Sequence, residues 1–290
     1  MIKQLTIIGV GLIGGSLALA LKRAGAVGEV VGCGRDIKHL QRAVELGVID
    51  RIEMDMAASV QGADIVLVAA PVGAMEAIFR ILAPVLPEGA VLTDAGSTKG
   101  SVVEAARAAF KLPKGELPAN FVPGHPIAGT EKSGVEAAFS DLYKGRRVIL
   151  TPTENSDSDA VARVRAMWEQ AGADVVETSV AHHDEVLAAT SHLPHLLAFS
   201  LVDTLATMDD KQEIFEFAAG GFRDFTRIAS SDPQMWHDIC IHNEPALLKM
   251  LERFENDLDK LRLAIANNDS DYLLQVFTRA KTARDQFCDK

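Results

Sequence analysis

The sequence predicts an α/β protein: a doubly wound, mostly parallel sheet over residues 1–180, followed by an all-helical part over 181–290. Three observations predict it. A strand, a glycine-rich turn and a helix open the chain. Short apolar runs then alternate with helical patterns, and beyond about residue 180 the strand signal stops.

The opening turn is LTIIGVGLIGGS. An apolar run (Leu5, Ile7, Ile8) meets Gly9, Gly11 and Gly14 in G-x-G-x-x-G spacing, and helical apolar spacing takes over from Leu17. In this pattern the first glycine makes the tight turn, the second admits a pyrophosphate to the backbone, and the third lets helix pack on strand. Free N–H groups at the helix start then face the phosphate charge. Gly9, Gly11, Leu12, Ile13 and Gly14 are therefore candidate dinucleotide contacts, and the predicted sheet is of the Rossmann type.

After a helix closed by Gly25 and Gly28, the second strand is EVVGCG. An NAD site wants an acid about twenty residues past the glycines. That count lands on Gly34, followed by Arg35 and Asp36. Arg35 suits a ribose 2′-phosphate and favours NADP. Asp36 could reach a 2′-hydroxyl, and it is equally placed to cap the helix IKHLQRAVELG. The cofactor reading is NADP or NAD, with NADP favoured.

A short strand at Val48–Glu53 and a helix at Ala57–Gln61 follow. Ala63–Val72 reads as a buried parallel strand with Pro71 at its ligand-facing end. Helix Ala74–Leu82 and strand Ala90–Ser97 continue the rhythm. Ser101 and Glu104 spell a capping box, which would leave Ser97, Thr98 and Lys99 in the loop above the sheet, free to meet a ligand. Ser97 reads equally as a turn serine.

FVPGHPIAGTEKSG, residues 121–134, reads as a strand ending at His125 and a glycine-punctuated loop. Pro126 biases His125 toward extended backbone, so its imidazole projects from the carboxyl end of a parallel strand, where open α/β sheets bind ligands. A histidine there is a natural general base; the plainer reading is a loop histidine bonded for structure. Strand RRVILTP, helix Ala160–Ala171 and strand ADVVETS complete the alternation, with the polar loop TENSDSD after the first of them.

The second half is helical. A long pattern from His183 to Thr207 is interrupted at Pro194, which should kink it. His192 and His195 share a face across that kink and suggest a polar cavity, since no third metal ligand stands at useful spacing. His182 and His183 read as solvated. GGFRDFTRIASSDPQMW, residues 220–236, reads as irregular and site-like. Arg227 there could clamp a carboxylate or pair with Asp224. Two long amphipathic helices, Glu244–Asn267 and Ser270–Phe287, suggest a dimer core or a monomeric hairpin.

At 290 residues, 48% apolar and 24% charged, the chain is globular in composition. A net charge of −11 with no basic block argues against nucleic acid. Cys33, Cys240 and Cys288 are odd in number and in no metal spacing, pointing to a reducing compartment. The first strand begins too early for a signal peptide, and no apolar run approaches a membrane span. The expected location is cytoplasmic, without membrane contact.

Five segments carry a resemblance. GVGLIGGS, TDAGSTKG, GHPIAGTEKSG, SHLPH and GGFRDFTRIASSDPQMW, in that order, resemble the prephenate and arogenate (cyclohexadienyl) dehydrogenases of tyrosine biosynthesis, over about residues 5 to 260. The resemblance implies a Rossmann domain, an all-helical dimerisation domain and a homodimer. It implies oxidative decarboxylation of prephenate to 4-hydroxyphenylpyruvate, or of arogenate to tyrosine, with hydride passed to NAD(P). His125 resembles the catalytic histidine, and Ser97 the serine that orients it near cofactor and substrate. Arg227 resembles the arginine that binds the substrate carboxylate, Glu131 the loop acid that pairs with it, and His195 the histidine lining the substrate site. His192 and Trp236 are further carry-overs at that site. Gly34-Arg35 departs from the acidic pattern of NAD users. The helices run almost to Lys290, so no further regulatory domain is expected, and tyrosine feedback, if present, would act at the active site. Two other readings stay open: a β-hydroxyacid dehydrogenase, for which SHLPH lacks the catalytic lysine, and a dinucleotide-sensing protein without turnover.

Overall fold

A computed structural model describes residues 1–287. Cys288 therefore lies outside the described residues. β1 (Ile2–Ile8), α1 (Leu12–Arg23), β2 (Val27–Cys33), α2 (Ile37–Glu45), β3 (Arg51–Glu53) and α3 (Met56–Ser59) come first. β4 (Ile65–Val68), α4 (Met75–Leu82), β5 (Val91–Asp94), α5 (Gly100–Phe110) and β6 (Phe121–Val122) follow. Their strands form one six-stranded sheet in the order β3-β2-β1-β4-β5-β6, every pair parallel. The order reverses between β1 and β4, the switch point at which open α/β sheets hold ligands.

The sheet is parallel because both of its faces are covered. Along β4, Ile65 and Leu67 join one apolar cluster while Val66 and Val68 join the other. Leu17 and Leu21 of α1 close the first face; Met75 and Phe79 of α4 with Val102 and Ala106 of α5 close the second. A strand with two buried faces has no polar alternation to show, hence the continuous apolar runs in the sequence.

A second, three-stranded sheet holds β7 (Gly124–Pro126), β8 (Arg147–Leu150) and β9 (Asp174–Glu177), with α6 (Ser158–Gln170) between the last two. β7 runs antiparallel to β8. The strand expected over 121–125 is thus two strands in two sheets, parted at Pro123, which has no N–H to donate to a ladder. His125 sits just past the edge of the parallel sheet, opposite Ile149 on an antiparallel neighbour.

β9 is the last strand among the described residues. α7 (Val180–Leu187), a π turn at Ala188–His192, α8 (Leu193–Ala206), α9 (Lys211–Glu216), α10 (Gly220–Thr226), a 3₁₀ turn at Arg227–Ser230 and α11 (Pro233–His242) follow. Two expectations change here, and the interruption expected at Pro194 gains its detail. Pro194 is accommodated by the wide π turn ahead of it, in the first turn of α8. The segment 220–236 is mostly helical, broken at Arg227–Ser230 and capped anew by Asp232. Val180–Ala206 joins end to end into a helical run long and apolar enough to cross a membrane, contrary to the sequence reading. Its polar residues His183, Asp184 and His192 are buried against protein partners instead.

Compactness divides the chain at 244/245 into two units. The second consists of helices α12 (Glu244–Ala266) and α13 (Ser270–Phe287), close to their predicted bounds.

Gly9 has no room for a side chain: its φ is +95°, and a Cβ there would lie 2.5 Å from the Ala69 carbonyl oxygen. Replacing Gly9 by Ala should cost about 2 kcal/mol or more from strain and displacement of β4's exit. Urea unfolding of Gly9→Ala measures it, and an unshifted midpoint would contradict the geometry.

Candidate active site

The glycine loop is built as its spacing demands. A Cβ on Gly14 would lie 2.7 Å from the Gly9 carbonyl oxygen and from the Ile7 side chain, so only glycine lets α1 rest on β1. A Cβ on Gly11 would meet nothing within 4 Å, so the space beside it is open. Gly11 caps α1, which starts at Leu12 rather than near Leu17; no side chain bonds its first amides and no acid stands in its first turn. An uncapped helix start facing open space suits a pyrophosphate. The expected contacts Leu12 and Ile13 are in that first turn.

Arg35, Asp36, Pro71 and Ser97 all lie just past the carboxyl ends of β2, β4 and β5. Asp36 caps α2, accepting the amide of Lys38 at 2.9 Å. Arg35 is exposed. Ser97 is half-buried, and its hydroxyl makes no hydrogen bond among the described residues.

Beside this edge lies a buried polar network. Asp94, the last residue of β5, accepts the amides of Gly96 at 2.7 Å and Gly124 at 3.1 Å. The Lys99 ammonium, fully buried, bonds the Asp94 carboxylate and the Gly124 carbonyl. Burial pushes the Lys99 pKa down against the pull of Asp94. Asp184 on α7 accepts the amides of Lys99 at 2.8 Å and Gly100 at 2.7 Å. That carboxylate caps α5. The capping box expected at Ser101 does not form: Ser101 is inside the helix and its hydroxyl bonds Thr98 at 2.7 Å. Thr98 and Lys99 are buried, not free for a ligand.

His125 is buried next to Gly124, with Nδ1 2.9 Å from His183 Nε2. His183, expected in solvent, is fully buried, and its Nδ1 lies 2.7 Å from Asp184. It is buried because Ser179 caps α7 and turns His183, Asp184 and Leu187 inward together. Burial lowers the His125 pKa well below 6.5, helped by the charges of His183, Lys99 and His192. Burial also lowers His183, against the opposing bond from Asp184. For Asp184, burial acts upward, but bonds from His183, Lys99 and Gly100 outweigh it and hold the carboxyl low.

The residues expected to meet substrate lie on the π turn and α8, on the 3₁₀ turn after α10 and on α11. His192 is buried, with Nδ1 2.9 Å from Asn243 Nδ2, which also donates to the Asp184 carbonyl. His195 Nδ1 donates to the Ser191 carbonyl at 2.8 Å, and its ring stacks on Trp236 at 3.6 Å. Among the described residues the buried Trp236 Nε1 has no partner, an unmet donor where a ligand's acceptor would fit. Arg227 has 66% of its side chain exposed and lies 3.9 Å from Glu131, not paired with Asp224. An exposed guanidinium held this loosely is available to a carboxylate.

The chain has counterparts among known proteins. Models of the prephenate dehydrogenase nucleotide-binding domain and dimerization domain match residues 17–177 and 179–279. The chain belongs to the prephenate dehydrogenase family. Cyclohexadienyl dehydrogenase of Zymomonas mobilis is 40% identical to it over 97% of this chain and 95% of that one. The crystal structure of prephenate dehydrogenase from Aquifex aeolicus in complex with hydroxyphenyl propionate and NAD+ is 38% identical, with a TM-score of 0.91 over 99% and 98% of the two chains. Synechocystis arogenate dehydrogenase, at 30% identity, superposes with a TM-score of 0.80 over 98% and 99%.

The buried histidines make stability depend on pH. Below about 6.5 the unfolded chain takes protons that the folded histidines refuse, so stability falls as pH drops toward the folded values. His192, lowered to about 4 chiefly by burial, loses its share between those two limits. Urea midpoints measured from pH 7 to 4 should decline, and His192→Asn should flatten the decline. Equal slopes in both proteins would contradict the assignment.

Proposed function

We propose that the chain oxidises a cyclohexadienol, prephenate or arogenate or both, with loss of the ring carboxylate. The observation that carries this reading is the His125 imidazole: buried, neutral and held through one nitrogen beside the carboxyl edge of the dinucleotide-type sheet. A base kept neutral in this way takes a proton without first losing one.

The expected cofactor fits the residues present, because Gly11 leaves a space that any other side chain would fill and α1 begins without a cap. NAD or NADP, when bound, supplies the hydride acceptor. His125 takes the proton of the ring 4-hydroxyl as C4 gives up its hydride, and C4 becomes a carbonyl carbon. The bond from the ring to its carboxylate then breaks, carbon dioxide leaves, and the electron pair makes the ring aromatic. His125 returns its proton to the phenolate. The net yield is one phenol, one carbon dioxide and one reduced dinucleotide. Aromatisation drives the step, so the protein's task is positioning and a base.

Arg227 binds a substrate carboxylate, with Glu131 as its partner when the site is empty. His192, His195 and Trp236 line the ring's pocket, Trp236 offering its unmet N–H. Ser97 stands between cofactor and substrate. The division at 180 then separates a dinucleotide part from a substrate part. Exposed apolar side chains on α12 and α13, among them Leu258, Leu263, Leu274 and Phe277, support a homodimer. Tyrosine, resembling the product, would compete at the same pocket.

His125→Asn should lower kcat by roughly 10²–10⁴-fold while dinucleotide binding persists. The assay follows reduced nicotinamide absorbance with both substrates crossed against both cofactors, and retained turnover would refute the base. Arg35, exposed and without an ion pair among the described residues, supports NADP use. Arg35→Ala should weaken NADP and spare NAD in the same assay, and unchanged NADP affinity would remove Arg35 from the site.

A further inference from the structure

We infer that His183 and Asp184 are positioning residues for the reaction, fixing His125 in the tautomer whose bare Nε2 is the base. The inference rests on His125 being that base.

The assignment follows from the order of the bonds. Asp184 also receives two backbone amides and is ionised, so toward His183 it acts only as an acceptor. The hydrogen on the 2.7 Å contact is therefore on His183 Nδ1. His183 is fully buried and neutral, so its Nε2 carries a lone pair. Across the 2.9 Å contact, His125 Nδ1 must then be the donor. A neutral His125 with hydrogen on Nδ1 has none on Nε2. Without His183 the ring would be free to take the other tautomer, with its hydrogen where the substrate proton should go.

The same chain serves the protonated state. When His125 gains the hydroxyl proton, its Nδ1–H strengthens toward His183, and His183 Nδ1–H toward the Asp184 carboxylate. No proton passes along the chain; each stays on its nitrogen while the charge is met at a distance. Asp184 itself is fixed by α5, whose first amides it caps, and by Asn243, which bonds its carbonyl. The base's orientation is thereby tied to α5, α7 and α11 together.

Two measurements test this on the full-length protein with saturating dinucleotide. In steady-state kinetics, His183→Ala should lower kcat roughly 10²-fold with KM little changed, since substrate contacts are intact. His183→Gln should recover most of that loss, because its Oε1 can accept from His125 Nδ1–H. A merely structural histidine would show no such split and no rescue. In ¹⁵N–¹H correlation spectra of the imidazoles, the signals lost in His125→Asn should show the hydrogen on Nδ1 in the parent protein. This second result stands even if His183→Ala fails to fold. Hydrogen on His125 Nε2 overturns the inference, as does a His183→Ala enzyme with parental kcat beside an inactive His125→Asn. An active His125→Asn overturns the base itself, and the inference with it.

Discussion

The ion pair between Lys99 and Asp94 is the constraint on which the site depends. An ammonium removed from water is costly unless its charge and donors are met. Here the carboxylate at the end of β5 and the Gly124 carbonyl meet them. Gly124 directly precedes His125, so the pair that neutralises Lys99 also fixes the strand that carries the imidazole. Removing either partner would leave the other charge buried alone, and the loop from β5 to α5 would lose its anchor to β7.

Around that pair the helices are held by polar contacts rather than by apolar packing alone. Asp184 replaces a local cap at the start of α5, and Asn243 joins α7 to His192. The consequence is electrostatic. Burial keeps His125 and His192 neutral, with the Lys99 ammonium adding to it at His125, while the Asp184 carboxylate stays charged. If His125 is the base, a neutral base and an anionic support separated by one imidazole form an arrangement that changes little when the base takes a proton.

Much of this was legible in the sequence, because much of it is local. The glycine loop declares itself by spacing: Gly9 needs its positive φ and Gly14 its bare Cα within one turn. The sheet declares itself by apolar runs with two buried faces. His125 was legible from the proline after it and the strand before it. The rest depends on contacts between distant residues. Pro123 parts β6 from β7 only because β8 offers another neighbour. Lys99 and Asp184 are 85 positions apart, and His125 and His183 are 58. Ser101 and Glu104 carried a true local signal that a distant carboxylate overrode. For His183 a weak signal did exist: with Ser179 capping α7, His183 and Leu187 share its inner face.

As the proposed base, His125 would meet the reacting hydroxyl through Nε2 while His183 holds its other nitrogen. A crystal structure of this chain with oxidised dinucleotide and a phenolic product analogue tests it most directly. The phenol oxygen should lie within roughly 2.6–3.2 Å of His125 Nε2, with His183 still on Nδ1 and the nicotinamide on the ring's face. A phenol bound away from His125, or an imidazole turned so that Nδ1 meets it, would contradict the claim.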